Sequence, residues 1–106
     1  MKRIIFFLFA LFFITPFLRG QVPVQTIRGV VRDASTRETL PNANVVLSDE
    51  GVGTITDARG RFELNDVPVG RHTLKVSYLG YHPEMITDLV VGSGKEVVLE
   101  VELEES

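Results

Sequence analysis

The segment Glu96-Val97-Val98-Leu99-Glu100-Val101-Glu102-Leu103 decides the fold class, because its side chains sort by parity. Val97, Leu99, Val101 and Leu103 fall on one side of an extended backbone, and Glu96, Val98, Glu100 and Glu102 on the other. A period of two with one apolar row marks a strand that lies half on a core and half in water. The same period recurs upstream. His72, Leu74, Val76 and Tyr78 form an inward row against Arg71, Thr73, Lys75 and Ser77. Ala43, Val45 and Leu47 alternate with Asn44, Val46 and Ser48, and Ile27, Gly29 and Val31 alternate with Arg28, Val30 and Arg32. Met85 to Val91 is a further strand of less regular alternation.

Turn chemistry separates these runs. Asp33 to Arg37 and Leu40-Pro41-Asn42 make the first connection a loop, and Asp49-Glu50-Gly51 closes the second strand. Thr54, Ile55 and Thr56 form a short β-branched run. Asp57-Ala58-Arg59-Gly60 then turns the chain into Arg61 to Leu64, so a hairpin with Phe62 and Leu64 facing inward is expected. Val67-Pro68-Val69-Gly70 is a corner, Gly80 ends the longest inward row, and Gly92-Ser93-Gly94 turns the chain once more. No window carries helical spacing. About seven short strands with turns every eight to twelve residues predict an all-β chain, a β-sandwich over an aliphatic core, with a small closed barrel as the alternative.

The first twenty residues have a different character. Lys2 and Arg3 precede an unbroken apolar run from Ile4 to Ile14 that stops at Thr15 and Pro16, the order of a secretory signal peptide. A membrane span needs roughly 20 apolar residues, and this run falls short of that. Gly20 supplies the small residue before Gln21, so residues 1–20 are expected to be removed and 21–106 to form the mature domain. Six of the seven Phe residues lie in that leader, which leaves Phe62, Tyr78 and Tyr81 as the domain's aromatics. The domain keeps eight basic and all fourteen acidic residues, a net charge of −6, which disfavours nucleic acid and anionic lipid. The absence of cysteine removes disulfides, thiol catalysis, thiolate metal sites and an acylated N-terminal Cys. Stability must then come from burial, in a chain small enough to bury only about 60–65% of its unfolded surface.

Five stretches occur in one order: Ile27-Arg28-Gly29-Val30-Val31-Arg32-Asp33, Leu40-Pro41-Asn42-Ala43-Asn44-Val45, Gly53 through Phe62, Val67-Pro68-Val69-Gly70, and Val76-Ser77-Tyr78-Leu79-Gly80-Tyr81. Together they resemble the carboxypeptidase regulatory-like domain, a transthyretin-like seven-strand β-sandwich. The version found at the N-terminus of starch-utilisation-type TonB-dependent outer-membrane receptors is the most similar. The resemblance runs from about Thr26 to Leu103, and at Asn42 this chain departs from the more usual Gly. It implies a non-catalytic periplasmic accessory domain, associated with the outer membrane through a larger receptor. Its implied partners are protein: the receptor plug or the periplasmic energising machinery. A free-standing exported module that binds protein or glycan, and an accessory domain of a metallopeptidase, are the alternatives.

Candidate chemistry is sparse. His72 and His82 lack the spacing of a zinc motif, and Ser35, Ser48, Ser77 and Ser93 lack a nucleophile signature. Gly51-Val52-Gly53 lacks the third glycine and the following helix of a phosphate cradle. Asp49, Glu50 and Asp57 offer oxygens to calcium if the fold gathers them at one end; solvated loop charges are the favoured reading. No enzyme activity, cofactor or metal is therefore expected. Asp57, Gly60, Pro68 and Gly70 are assigned to turn geometry. Tyr78 is expected in the core, while Tyr81 and His82, beyond the Gly80 bend, are the candidate interface. Glu96, Glu100 and Glu102, with Glu104 and Glu105, are expected to form a solvated acidic edge.

Overall fold

The computed structural model describes residues 22–106, so the expected leader and its cleavage site lie outside the described residues. Seven strands form: β1 (Val24–Asp33), β2 (Asn44–Leu47), β3 (Val52–Ile55), β4 (Arg61–Pro68), β5 (Gly70–Ser77), β6 (Glu84–Val91) and β7 (Val97–Leu103). They pair into a three-stranded sheet, β4-β1-β7, and a four-stranded sheet, β3-β2-β5-β6. This is an open sandwich and not a closed barrel. β1 and β7 run parallel in unbroken register from Ile27 beside Val97 to Asp33 beside Leu103, which joins the two ends of the domain in one sheet.

The inward rows meet in one aliphatic core. Ile27 and Val31 of β1, Val45 and Leu47 of β2, and Leu74 and Val76 of β5 have no exposed surface, and Val101 and Leu103 of β7 are 3% or less exposed. Each such side chain contributes about 1.5–3 kcal/mol by leaving water. Phe62 and Leu64 face inward as their parity predicts. Gly29 has to be glycine, because a Cβ there would sit 2.2 Å from the Leu99 carbonyl oxygen and 2.9 Å from the Phe62 ring.

The irregular alternation of β6 has a local cause. Two steps along β5, His72 to Leu74, are matched by three along β6, Leu89 to Ile86, and Asp88 takes a φ of 55°. β4 carries the same device against β1, where Asp66 has a φ of 56°. Aspartate tolerates the left-handed region better than most residues, and the bulge returns Ile86 and Leu89 to the same inner side. Asn42 likewise takes a φ of 63°, so it adopts the left-handed turn that glycine would otherwise supply.

The expected hairpin through Asp57–Gly60 does not form as a pair. β3 lies in the four-stranded sheet and β4 in the three-stranded one, so the turn is a corner between sheets. Two anchors pull its arms apart. The hydroxyl of buried Thr56 donates to Leu40 O at 2.6 Å and accepts from Ala43 N at 2.8 Å, which ties the end of β3 to the strand-2 entry. Past the turn, Gly60 O accepts from Val31 N at 2.8 Å, which ties the start of β4 to β1.

Candidate functional site

Three polar nodes hold the loops at the ends and outer face of the sandwich. The first is built by the β2–β3 turn and the β4–β5 corner. His72, 5% exposed, points Nδ1 at Asp49 Oδ2 (2.6 Å) and Nε2 at the Pro68 carbonyl oxygen (2.5 Å). Both partners are acceptors, so the two contacts are satisfied together only when both ring nitrogens carry protons, as in the imidazolium. Burial pulls the ring toward its neutral form, but the bonds to Pro68 and Asp49 outweigh it, and the His72 pKa is raised. The Asp49 carboxyl is held low by the Thr73 amide, with burial opposing and the His72 contact assisting.

Asp49, Glu50 and His72 bring candidate ligand atoms within 4.8 Å of one another. His72 has no lone pair for a metal while it is doubly bonded, nor can it take a proton from a hydroxyl. The arrangement is a proton-held clamp between two turns. Asp57, grouped with Asp49 and Glu50 in the calcium reading, is absent from this cluster. Its Oδ1 accepts from the Arg59 and Arg61 amides, both at 2.9 Å, and so caps its own turn.

The second node centres on Asp33, which is 4% exposed and which the strand pattern of β1 did not single out. Oδ1 accepts from the Ser35 and Thr36 amides at 2.7 and 2.9 Å, and Oδ2 accepts from the Tyr81 hydroxyl at 2.7 Å. The Thr36 amide and the Tyr81 phenol hold the Asp33 carboxyl low, and that same carboxylate drives the Tyr81 phenol well above its ordinary range. An Asp at a strand end whose side chain accepts from the amides two and three residues on, as in Asp33-Ala34-Ser35-Thr36, is a side-chain-capped turn.

The Tyr81 hydroxyl is thus committed to an internal strut with Asp33. The Tyr81 ring is half-buried, tilted 59° against Tyr78 at a centroid distance of 5.5 Å. His82 is exposed beside it, but the residue that projects from this bend is Leu79, 96% exposed. Tyr78 packs against the core as expected. Of the turn residues, Gly60 has a φ of 73° and Gly70 a φ of 145°, and Pro68 supplies the carbonyl that holds His72.

The third node lies along β7, an edge strand, where Glu96 just before it and Glu100 and Glu102 within it are exposed. β1 and β7 are parallel neighbours, so their outer faces align, and Arg28 binds Glu96 at 2.8 Å while Arg32 binds Glu100 at 3.1 Å. Arg37 pairs with Glu102. Glu96, Glu100 and Glu102 are thus paired with arginines from 65 or more positions upstream, which no local reading of β7 could register.

Residues 26–104 match the carboxypeptidase regulatory-like domain family. The chain belongs to that family. Among curated relatives, this carboxypeptidase regulatory-like domain is 36% identical over 83 residues to the TonB-dependent receptor SusC of Bacteroides thetaiotaomicron. The match covers 74% of this chain and 7% of the receptor, so the domain spans a small part of that relative's length. Solved structures share its sandwich. A chain of a type II cohesin–X-dockerin complex from Acetivibrio cellulolyticus superposes with a TM-score of 0.64 at 22% identity, over 74% of this chain and 56% of that one. A putative carbohydrate binding protein from Bacteroides uniformis gives 0.60 at 19%, over 76% and 41%. The major pilin subunit of Bacillus cereus, BcpA, gives 0.62 at 15%, over 79% and 31%. At these identities the likeness is one of fold.

Proposed function

We propose that this domain is a non-catalytic protein-binding module, exported to the periplasm, that forms the leading part of a TonB-dependent outer-membrane receptor. The observation that carries the reading is the 36% identity to SusC across 74% of the chain. The site chemistry agrees with it. His72 is locked on both nitrogens, and the carboxylates of Asp33 and Asp57 accept from backbone amides, so each serves the fold. Binding is the mode of action left to such a surface, and the receptor's plug or the energising machinery is the partner. A transport barrel needs many alternating segments of about ten residues, so passage of a nutrient belongs to the rest of the receptor.

The native coding sequence past Ser106 tests this. It is expected to continue in frame into a plug and then into barrel strands. A stop codon directly after Ser106 would replace the receptor reading with that of a free-standing binding module. Intact mass of the periplasmic product is expected to place the N-terminus at Gln21, and a membrane-bound product retaining Met1 would refute export by cleavage.

A further inference from the structure

Two open sheets have four edge strands, and an unguarded edge is a template for pairing with another chain. Three edges here are guarded. β4 is interrupted by the Asp66 bulge and ends on Pro68, and β6 is interrupted by the Asp88 bulge. β7 carries the charged ladder to Arg28 and Arg32, and the chain beyond it is bridged to Tyr81. β3 has no such protection. Its sequence, Val52-Gly53-Thr54-Ile55, holds no charge, proline or bulge, and Val52 and Ile55 are 49% and 57% exposed.

The free backbone groups of β3 follow from its register. Thr56 N donates to Ala43 O at 2.9 Å, and the antiparallel ladder continues with Ile55 opposite Asn44 and Thr54 opposite Val45. Alternation then turns Thr54 and Val52 toward β2 and leaves the N–H and C=O groups of Gly53 and Ile55 facing away from the sheet. An added strand gains four backbone hydrogen bonds there.

A groove runs beside this edge, between β3 and β4. Exposed Val52 supplies its apolar rim over a floor closed by the buried Leu64 and Val67, and Glu50, Glu63 and Asp66 supply its charge. No lysine or arginine lines it; Glu63 and Asp66 have no ion-pair partner among the described residues, and Glu50 lies within 4.8 Å of the His72 ring. Toward Phe62 the groove continues past Arg28 and Arg61, so the acidic stretch is confined to the end beside Val52.

We propose that the β3 edge docks an extended protein segment as a fifth strand, one whose apolar residues alternate with Lys or Arg at the end beside Val52. The apolar side chains lie against the exposed Val52 and Ile55, and the cations face Glu50, Glu63 and Asp66. A second copy of this chain fits less well, since its own β3 is flanked by Glu50 and Asp57 and would set acid against acid. The inference rests on the reading of the domain as a protein-binding module.

Amide NMR of the purified protein, titrated with the synthetic peptide Val-Thr-Val-Lys-Val-Lys-Val and with its glutamate counterpart, tests it. The lysine peptide is expected to shift the Gly53 and Ile55 amides and protect them from exchange, and to bind at least tenfold more tightly than the glutamate peptide. Ile55→Pro removes an outward N–H without breaking the ladder, and is expected to weaken binding at least tenfold. Glu50→Lys with Glu63→Lys, both exposed, leaves the backbone edge intact and is expected to reverse the preference, which decides the matter if the proline variant does not fold. Equal binding of the two peptides, no binding of either, or a β3-mediated dimer without peptide would each overturn the proposal. Protection confined to β6 or β7 would overturn this edge while leaving the protein-binding reading intact.

Discussion

Thr56→Val exchanges a hydroxyl for a methyl at a position 1% exposed, with almost no change of shape. It strips the Leu40 carbonyl and the Ala43 amide of their partners at 2.6 and 2.8 Å, and Ala43 is itself fully buried. Each orphaned group costs about 1–3 kcal/mol, and the new methyl returns about 0.8 kcal/mol. The net loss is about 1–5 kcal/mol, centred near 3, against a total stability of about 5–15 kcal/mol for a domain of ordinary size. Thr56→Ser keeps both hydrogen bonds and loses only a methyl, about 1 kcal/mol. Urea denaturation is therefore expected to rank wild type above Ser and Ser above Val, with unchanged m-values. Hydrophobicity alone ranks Val above Ser. A valine variant as stable as the serine variant would refute the claim that this hydroxyl, and not apolar packing, secures the inter-sheet corner.

Two glycines with nearly equal φ are expected to respond differently to alanine. Gly51, φ 66°, has no atom within 4 Å of a built Cβ, so Gly51→Ala is expected to lose only the about 1–2 kcal/mol of a left-handed alanine. At Gly60, φ 73°, a Cβ would meet the Val31 carbonyl oxygen at 2.9 Å and the Thr39 Cβ at 2.8 Å, so Gly60→Ala is expected to lower the urea midpoint substantially further. The His72 clamp carries a pH dependence on both sides. His72 has its pKa raised above 6.5, so its contribution is complete below that value and is lost as pH rises through the folded pKa. Asp49 has its pKa lowered below 3.8, so its contribution is present above that value and is lost as pH falls through the folded pKa. Urea midpoints measured across pH are expected to decline on the alkaline side in wild type and to flatten there in His72→Phe; an unchanged alkaline limb would show that the ring is not held as an imidazolium.

Parity along the chain was enough to assign the inward rows of β1, β2, β4, β5 and β7, because a strand's side chains alternate whatever it pairs with. Glycine, proline and aspartate positions were enough to place the turns, because their backbone preferences are local. Parity also says nothing about partners. Whether Asp57–Gly60 joined two paired strands or two sheets depended on Thr56 reaching Leu40 and on Val31 reaching Gly60, contacts across 16 and 29 positions. The same holds for the acidic face of β7, which became a row of ion pairs once β1 lay parallel beside it, and for Tyr81, which Asp33 drew inward from 48 positions away. His72 was legible as an inward residue, but its charge state was not, since that follows from two acceptors which only the folded corner brings to its two nitrogens. Local stereochemistry thus determined which residues turn and which face the core, while strand order decided which polar groups are satisfied, which are neutralised, and which edge stays open.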